Sequence, residues 1–382
     1  MRVAIDARYI REKPSGIGTY VKAIVDRLPH LATSDQFLFW AHPLAPRPLS
    51  AAPNTRDSTV RPGPNSPAPV MWPNCYSQTA DVDLFHSPHN IMSRGMRCPT
   101  VVTVHDVMAI DDPGLHLQGF ERLALRLYYP QAVWRALRYA TRLIVPTTAT
   151  ADRVRALVPE AGARLHVIWN APDRCFRPAS NPASARQRVV ALTGVADPYL
   201  LVVGADSPTK RHALALAAFA AAAPKPWRLV MLQRPGTYDH SRRLSRLKKL
   251  ARRLHVDDRV IWLPHVAQDD VAALIQNAGA LMQPSIYEGF GLPVIEAMAC
   301  GCPVVATDIP PFREIAGGAA LLVPPDDVGA LASAVRAVVI SPERRRSMLE
   351  SGLARAGQFS WDRCARETLD VYREAASCGS PV

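Results

Sequence analysis

Apolar positions along this chain fall into short continuous runs rather than alternating ones, and most runs are followed by a stretch with helical spacing. Runs of this kind predict strands buried on both faces, as in parallel sheets covered by helices. In the first half they predict strands at Val3 to Asp6, Phe37 to Ala41, Leu84 to His86, Val101 to His105, Leu143 to Pro146 and His166 to Trp169. In the second half they predict Leu200 to Gly204, Leu229 to Gln233, Val260 to Leu263, Ala280 to Gln283, Val304 to Thr307 and Leu321 to Pro324. Two similar series of strand and helix imply an α/β chain with two doubly wound domains. Between them, residues 170–198 hold Pro172, Pro178, Pro182 and Pro198 with few periodic apolar positions, which predicts a hinge. The domains are accordingly expected at 1–175 and 190–360. The stretch from Pro43 to Pro73 carries nine prolines and no period, and it is expected to be a long loop without strand or helix, near an acceptor.

Length agrees with this picture, since 382 residues exceed one ordinary core. The amino terminus reads as a strand entering a turn, without the apolar region of a signal peptide, so a cytoplasmic protein is expected. The longest apolar run, Ala213 to Ala223, stops at Pro224, short of the ~20 residues a membrane span needs. Seven cysteines without a CxxC pair read as reduced thiols. A formal charge of +12 points to an anionic partner, whether nucleic acid, phosphorylated substrate or membrane surface.

The segment Ser285 to Gly301 follows a predicted strand as glycine loop and then helix. Pro293 suits the first helical turn and Gly301 the position past the end. Gly289 and Gly291 let backbone N–H groups approach a ligand, and the helix start adds partial positive charge, which makes a diphosphate cradle. Glu296, one turn in, can accept from a ribose diol, and Glu288 can hold sugar hydroxyls. The alternatives are a carboxylate favouring the helix dipole and a solvated loop residue. A second anomaly lies at Ser207 to His212, where Ser207 and Pro208 read as helix cap and first residue while Lys210, Arg211 and His212 fill the first turn. Helix starts favour acids, so these cations call for an anion, and a nucleotide diphosphate leaving group is the natural one. Arg211 reads equally well as a solvated side chain.

On these residues the chain resembles glycosyltransferase family 4, retaining enzymes of the GT-B fold, over nearly its whole length. Glu288 and Glu296 match the family's E-x7-E signature. The resemblance implies two Rossmann-like domains facing each other across a deep cleft, with a C-terminal helix, 361–376, crossing back to the first. It implies that the amides of Phe290, Gly291 and Leu292 face the diphosphate, Glu296 the ribose and Glu288 the sugar, and that Lys210 contacts the leaving phosphate. Where the family usually has arginine before this lysine, this chain has Thr209. Ser15 to Tyr20 resembles the family's first glycine loop, which implies that Gly16 and Gly18 approach donor and acceptor. His105, ending a strand, resembles the family's cleft histidine and is expected to be catalytic together with Glu288 and Lys210, the alternative being a satisfied core histidine. Glu314 matches a further family glutamate, read as structural. His86 and His89 beside His105 lack the carboxylate or thiol spacing of a metal site, so no metal and no other cofactor is expected.

Two basic stretches remain. Arg242 to Leu254 holds seven Arg or Lys and no acid, with its leucines on one face, and reads as a surface helix covering the second sheet. Phe120 to Tyr139 mixes arginines with Trp and Tyr and is expected to touch an anionic membrane carrying a lipid-linked acceptor. The expected function is a retaining hexosyltransferase at the inner membrane face, taking mannose from GDP-mannose to a lipid-linked or polysaccharide sugar hydroxyl. The rivals are a sugar-nucleotide epimerase on the same architecture and a nucleic-acid-binding protein. The second lacks any recognised nucleic-acid module, and no nucleic acid is expected.

Overall fold

The computed structural model describes residues 1–12, 15–61, 63–66, 81–112, 123–234 and 240–378. The chain divides into two compact units, one of Met1–Asn170 with Ser360–Val382 and one of Ala171–Phe359. Both are layered α/β structures whose described strands pair only in parallel.

In the first unit the strands are β1 (Arg2–Asp6), β2 (Gln36–Ala41), β3 (Thr55–Thr59), β4 (Leu84–Ser87), β5 (Thr100–Thr103), β6 (Arg142–Val145) and β7 (Leu165–Val167). Their order is β3-β2-β1-β4-β5-β6-β7, so the winding direction reverses between β1 and β4. Val3, Ala4 and Ile5 of β1 and Val101 and Val102 of β5 are fully buried, as central parallel strands require. The covering helices include α1 (Gly16–Leu31), α2 (Leu123–Tyr139) and α3 (Thr148–Leu157). Ser15 caps α1 by accepting from Gly18 N–H at 3.0 Å, and Thr147 caps α3 by accepting from Thr150 N–H at 3.1 Å. The closing helix, Trp361–Ser377, belongs to this unit although it ends the chain. Ser360 caps it, Trp361 and Tyr372 are buried, and Tyr372 Oη bonds His86 Nδ1 at 2.6 Å.

β3 corrects the expectation of a structureless proline loop. Its five residues lie between Pro53 and Pro62 and so contain no proline, and they pair along the edge of the sheet with β2. Only an edge strand tolerates so polar a run, because one side needs no partner. Buried Asn54 ties it down, its Nδ2 donating to Pro29 O, Ala32 O and Asp35 O at 3.1, 3.1 and 2.8 Å.

The second unit has β8 (Tyr199–Ala205), β9 (Arg228–Arg234), β10 (Val260–Leu263), β11 (Ala280–Gln283), β12 (Val304–Thr307) and β13 (Leu321–Val323), in the order β10-β9-β8-β11-β12-β13. Here the winding reverses between β8 and β11. Its helices are α4 (Pro182–Thr193), α5 (His212–Ala222), α6 (His240–Arg253), α7 (Gln268–Asn277), α8 (Leu292–Ala299), α9 (Pro310–Ala316), α10 (Val328–Ile340) and α11 (Pro342–Ala356). Leu200, Val202, Leu216, Phe219, Met231, Met282, Val305 and Val335 form one core, each large side chain worth ~1.5 to 3 kcal/mol on burial.

α4 occupies the stretch expected to be a hinge. Asn181 caps it by accepting from Ser184 N–H at 3.1 Å, Pro182 starts it, and Gly194 ends it at φ +73°. A proline at the first helical position costs no hydrogen bond, so this Asn-Pro pair starts a helix instead of breaking one.

Candidate functional site

Ligands of doubly wound sheets bind beyond the carboxyl ends of the strands where the winding reverses. In the second unit that point lies between β8 and β11, and the two segments singled out in the sequence leave those two strands. They are joined directly: Ile286 N–H donates to Thr209 O at 2.9 Å. Lys210 lays its stem over Gly204, where an added Cβ would stand 3.7 Å from Lys210 Cγ and Cδ. Its Nζ reaches Glu288 Oε1 at 2.5 Å, with the side chains only 19% and 11% exposed. Gln283 Nε2 supports the same carboxylate oxygen at 3.4 Å and donates to Ser285 Oγ at 3.2 Å. Lys210 and Glu288 are thus brought together.

The helix reading at Ser207 is corrected. Pro208–Lys210 is a separate 3-10 turn, Arg211 lies at φ +47°, and α5 starts only at His212. Ser207 Oγ bonds Thr209 Oγ1 at 2.9 Å instead of capping a helix. The left-handed Arg211 turns its guanidinium to Asp326, Nη2 to Oδ2 at 3.0 Å, so it pairs with a carboxylate. His212 is buried at the start of α5, with Nδ1 on Gln233 Nε2 at 2.9 Å. Burial and the nearby Lys210 charge lower its pKa to about 4, so its ring is neutral.

On the other side of the switch point, Gly291 precedes α8 at φ +101°. An alanine Cβ there would stand 2.4 Å from Phe312 Cε1, so the sharp entry needs glycine twice over. Gly289 and Phe290 lead into this turn, with Phe290 buried and edge-on to Phe359, and Leu292 opens the helix. Glu296 projects from the second turn, 9% exposed, and no described residue offers its carboxylate a hydrogen bond or ion pair. Burial, with the Asp173 carboxylate adding to it, raises its pKa to about 8. A buried acid without a partner, one turn behind a helix start at a switch point, makes Glu296 a candidate site residue. Glu314 lies on α9, where its carbonyl accepts from Arg355 Nη2 at 2.6 Å.

In the first unit the switch point between β1 and β4 holds a cluster that sequence reasoning missed. Asp6, ending β1, accepts from Arg8 Nε at 2.7 Å and Nη2 at 2.5 Å, and pairs with His89 Nε2 at 2.9 Å. All three residues are buried. Burial alone would raise the Asp6 pKa, but the Arg8 charge and the hydrogen bonds from Arg8 and His89 hold it well below the usual carboxylate range. The available signal was positional: an acid closing the first strand, with Arg two residues on.

Gly16 is the exposed first residue of α1, while Gly18 is buried and needed for a local reason. A Cβ at Gly18 would stand 2.8 Å from Tyr9 O. His105 follows β5, which ends two residues earlier than expected, and is half-buried. Its ring is edge-on to Tyr20 at 5.0 Å, its backbone N–H donates to Asn90 Oδ1 at 2.7 Å, and Nε2 lies 3.0 Å from Pro88 O. A carbonyl only accepts, so Nε2 carries the proton and Nδ1 keeps its lone pair. Burial lowers the His105 pKa to about 4, partly opposed by the Pro88 contact, which makes the ring a neutral acceptor of hydrogen bonds. His86 is bonded to Tyr372 and Thr103 and His89 to Asp6, and no metal-type cluster occurs among the described residues.

A family profile described as Glycosyl transferases group 1 matches residues 185–355, and one described as Glycosyltransferase Family 4 matches residues 14–174. The chain belongs to glycosyltransferase family 4. The first match contains Lys210, Arg211, Glu288 to Leu292 and Glu296, and the second contains Gly16, Gly18 and His105. Among family relatives, O-antigen chain mannosyltransferase B of Escherichia coli is 38% identical over 29% of each chain. The D-inositol 3-phosphate glycosyltransferase of Streptomyces bingchenggensis is 31% identical over 73% of this chain and 62% of its own length. This chain therefore spans less than two thirds of either relative. Sucrose-phosphate synthase from Thermosynechococcus elongatus superposes with a TM-score of 0.77 at 22% identity, covering 99% of this chain and 100% of that one. That likeness, with the two parallel sheets, shows a two-domain α/β fold of the GT-B type.

Proposed function

We propose that this chain is a retaining glycosyltransferase that moves a hexose from a nucleotide-sugar donor to a sugar hydroxyl of a lipid-linked or polysaccharide acceptor. Mannose from GDP-mannose is the donor to test first, since a mannosyltransferase is among the relatives. The observation that carries the reading is the Lys210–Glu288 pair at the switch point of the second sheet, flanked by the glycine entry to α8 and the buried carboxylate of Glu296.

In this reading the diphosphate lies against Lys210 and the amide start of α8, Glu296 takes the ribose hydroxyls and Glu288 the sugar. The bond from the anomeric carbon to the diphosphate breaks, and the acceptor oxygen attaches on the same face. The acceptor proton passes to the departing phosphate, and Lys210 stabilises the charge left there. His105, neutral with Nδ1 open, accepts from a hydroxyl of the transferred sugar. Arg211 pairs with Asp326, so it replaces the arginine missing at Thr209 only if that ion pair opens. The reading calls for no metal or other cofactor, since the cationic work falls to Lys210 and the helix start.

The acceptor is read as lying at an anionic membrane on the cytoplasmic side. No helix among the described residues is long and apolar enough to cross a membrane. Part of the 120–139 face once assigned to that surface, through residue 122 and the side chains of 123–127, falls outside the described residues. In the remainder Arg138 and Tyr139 are exposed.

Thermal shift against GDP, UDP, ADP and dTDP sugars tests the donor. A ligand at 100 times its Kd adds about 2.7 kcal/mol of stability, which the matching donor alone is expected to show. Incubation with an acceptor should then release nucleoside diphosphate and yield a glycoside whose anomeric configuration, read by NMR, matches the donor. Lys210→Ala is expected to lower turnover by roughly 100-fold or more. Absence of any nucleotide-sugar shift, or a changed sugar still attached to its nucleotide, would overturn the proposal.

A further inference from the structure

The helix α6 carries none of the residues used above, yet it has the largest net charge of the described helices. Its inward side is settled: Leu247 and Ala251 are buried in the second unit's core, and Leu250 and Leu254 pack against it. Outward, Arg242, Arg246, Lys248, Lys249, Arg252 and Arg253 are all exposed, and the helix contains no acid. Arg242 and Arg246, Lys248 and Arg252, and Lys249 and Arg253 stand four residues apart, so like charges face each other on successive turns and weaken the helix.

Several surface cations on other described helices have acidic partners. Lys22 pairs with Asp26, Arg346 with Glu350, Arg363 with Glu367, and Arg188 of α4 with Asp270 of α7. On α6, Arg246, Lys248, Lys249, Arg252 and Arg253 have neither ion pair nor hydrogen bond among the described residues. Arg243 Nη1 and Asp206 O, 2.9 Å apart, tie the helix to the loop after β8. These five cations therefore point to solvent without a partner among the described residues, on a helix held to the loop after β8.

We infer that this face of α6 docks the second unit on an anionic lipid bilayer. The charge is complementary to a surface of mobile anionic headgroups, which can gather under a helix about 21 Å long without demanding a particular register. The half-buried leucines stay with the core, so contact is made by the cationic heads and their stems, not by apolar insertion. Nucleic acid fits less well, because α6 has no Phe, Tyr or Trp on which a base can stack. The inference does not rest on the transfer reaction or on residues 120–139, and a chain without transferase activity still tests it.

The full chain is to be sedimented with phosphatidylcholine vesicles, with and without about a third phosphatidylglycerol, at several salt concentrations. Binding is expected only with the anionic lipid and should fall as salt rises. A variant carrying Arg246→Gln, Lys249→Gln, Arg252→Gln and Arg253→Gln should bind at least tenfold more weakly. Its melting temperature should match or exceed that of the parent, because repelling pairs are removed, whereas Arg138→Gln should leave most of the binding. The inference is overturned if the parent ignores phosphatidylglycerol, if the fourfold variant binds like the parent, or if duplex DNA binds more tightly than the anionic vesicles at the same salt.

Discussion

Gly291 holds φ +101° with the Phe312 ring where a side chain would stand, so its replacement tests the α8 entry directly. Gly291→Ala combines left-handed strain with overpacking and is expected to cost roughly 2 to 4 kcal/mol. In calorimetry this should lower the second unit's transition by about 5 °C or more. Glu296 permits a pH test. Its pKa rises from 4.5 unfolded to about 8 folded, so between these values the folded chain holds the extra proton and stability falls as pH rises. Glu296→Gln removes that loss, and the melting temperature of the variant minus that of the parent should grow from pH 5 to pH 8. His105 and His212, both lowered to about 4, act in the opposite sense: stability is lost as pH falls from 6.5 toward 4, because only the unfolded chain takes up those protons. The difference between variant and parent isolates the glutamate from them.

The closing helix shows how an element at the chain's end can belong to its beginning. Trp361–Ser377 follows the second unit in sequence, but buries Trp361, Leu369 and Tyr372 in the first, with Arg27 Nε on Asp362 Oδ1 at 2.7 Å. Tyr372→Phe leaves buried His86 Nδ1 without its partner and is expected to cost about 1 to 3 kcal/mol, read as a lower denaturant midpoint. α4 and β3 show why sequence reading failed on particular elements. In both, proline was taken as a breaker, yet Pro182 sits where a helix wants it, and Pro53 and Pro62 merely bracket a polar edge strand.

For the whole molecule, two units with separate cores predict separable unfolding. Removing residues 360–382 should lower the transition of the first unit, which loses the packing of its last helix, and leave that of the second unchanged. Differential scanning calorimetry of the shortened chain checks this, and a single transition shifted as one would refute it.

All of the strands expected from continuous apolar runs are present, because a strand buried on both faces has no choice but to be apolar throughout. The Gly291 turn and the Pro293 helix start were legible because each depends on the chemistry of a residue and its near neighbours. What the sequence left open depends on residues far apart along the chain. Tertiary structure decided that Lys210 meets Glu288 and that Arg211 turns to Asp326. It also decided that Asp6, Arg8 and His89 form one buried cluster, and that no acid from a neighbouring described element pairs with Arg246, Lys248, Lys249, Arg252 or Arg253 of α6. A charge finds its partner only once strand order has set which loops are neighbours, and no local pattern carries that information.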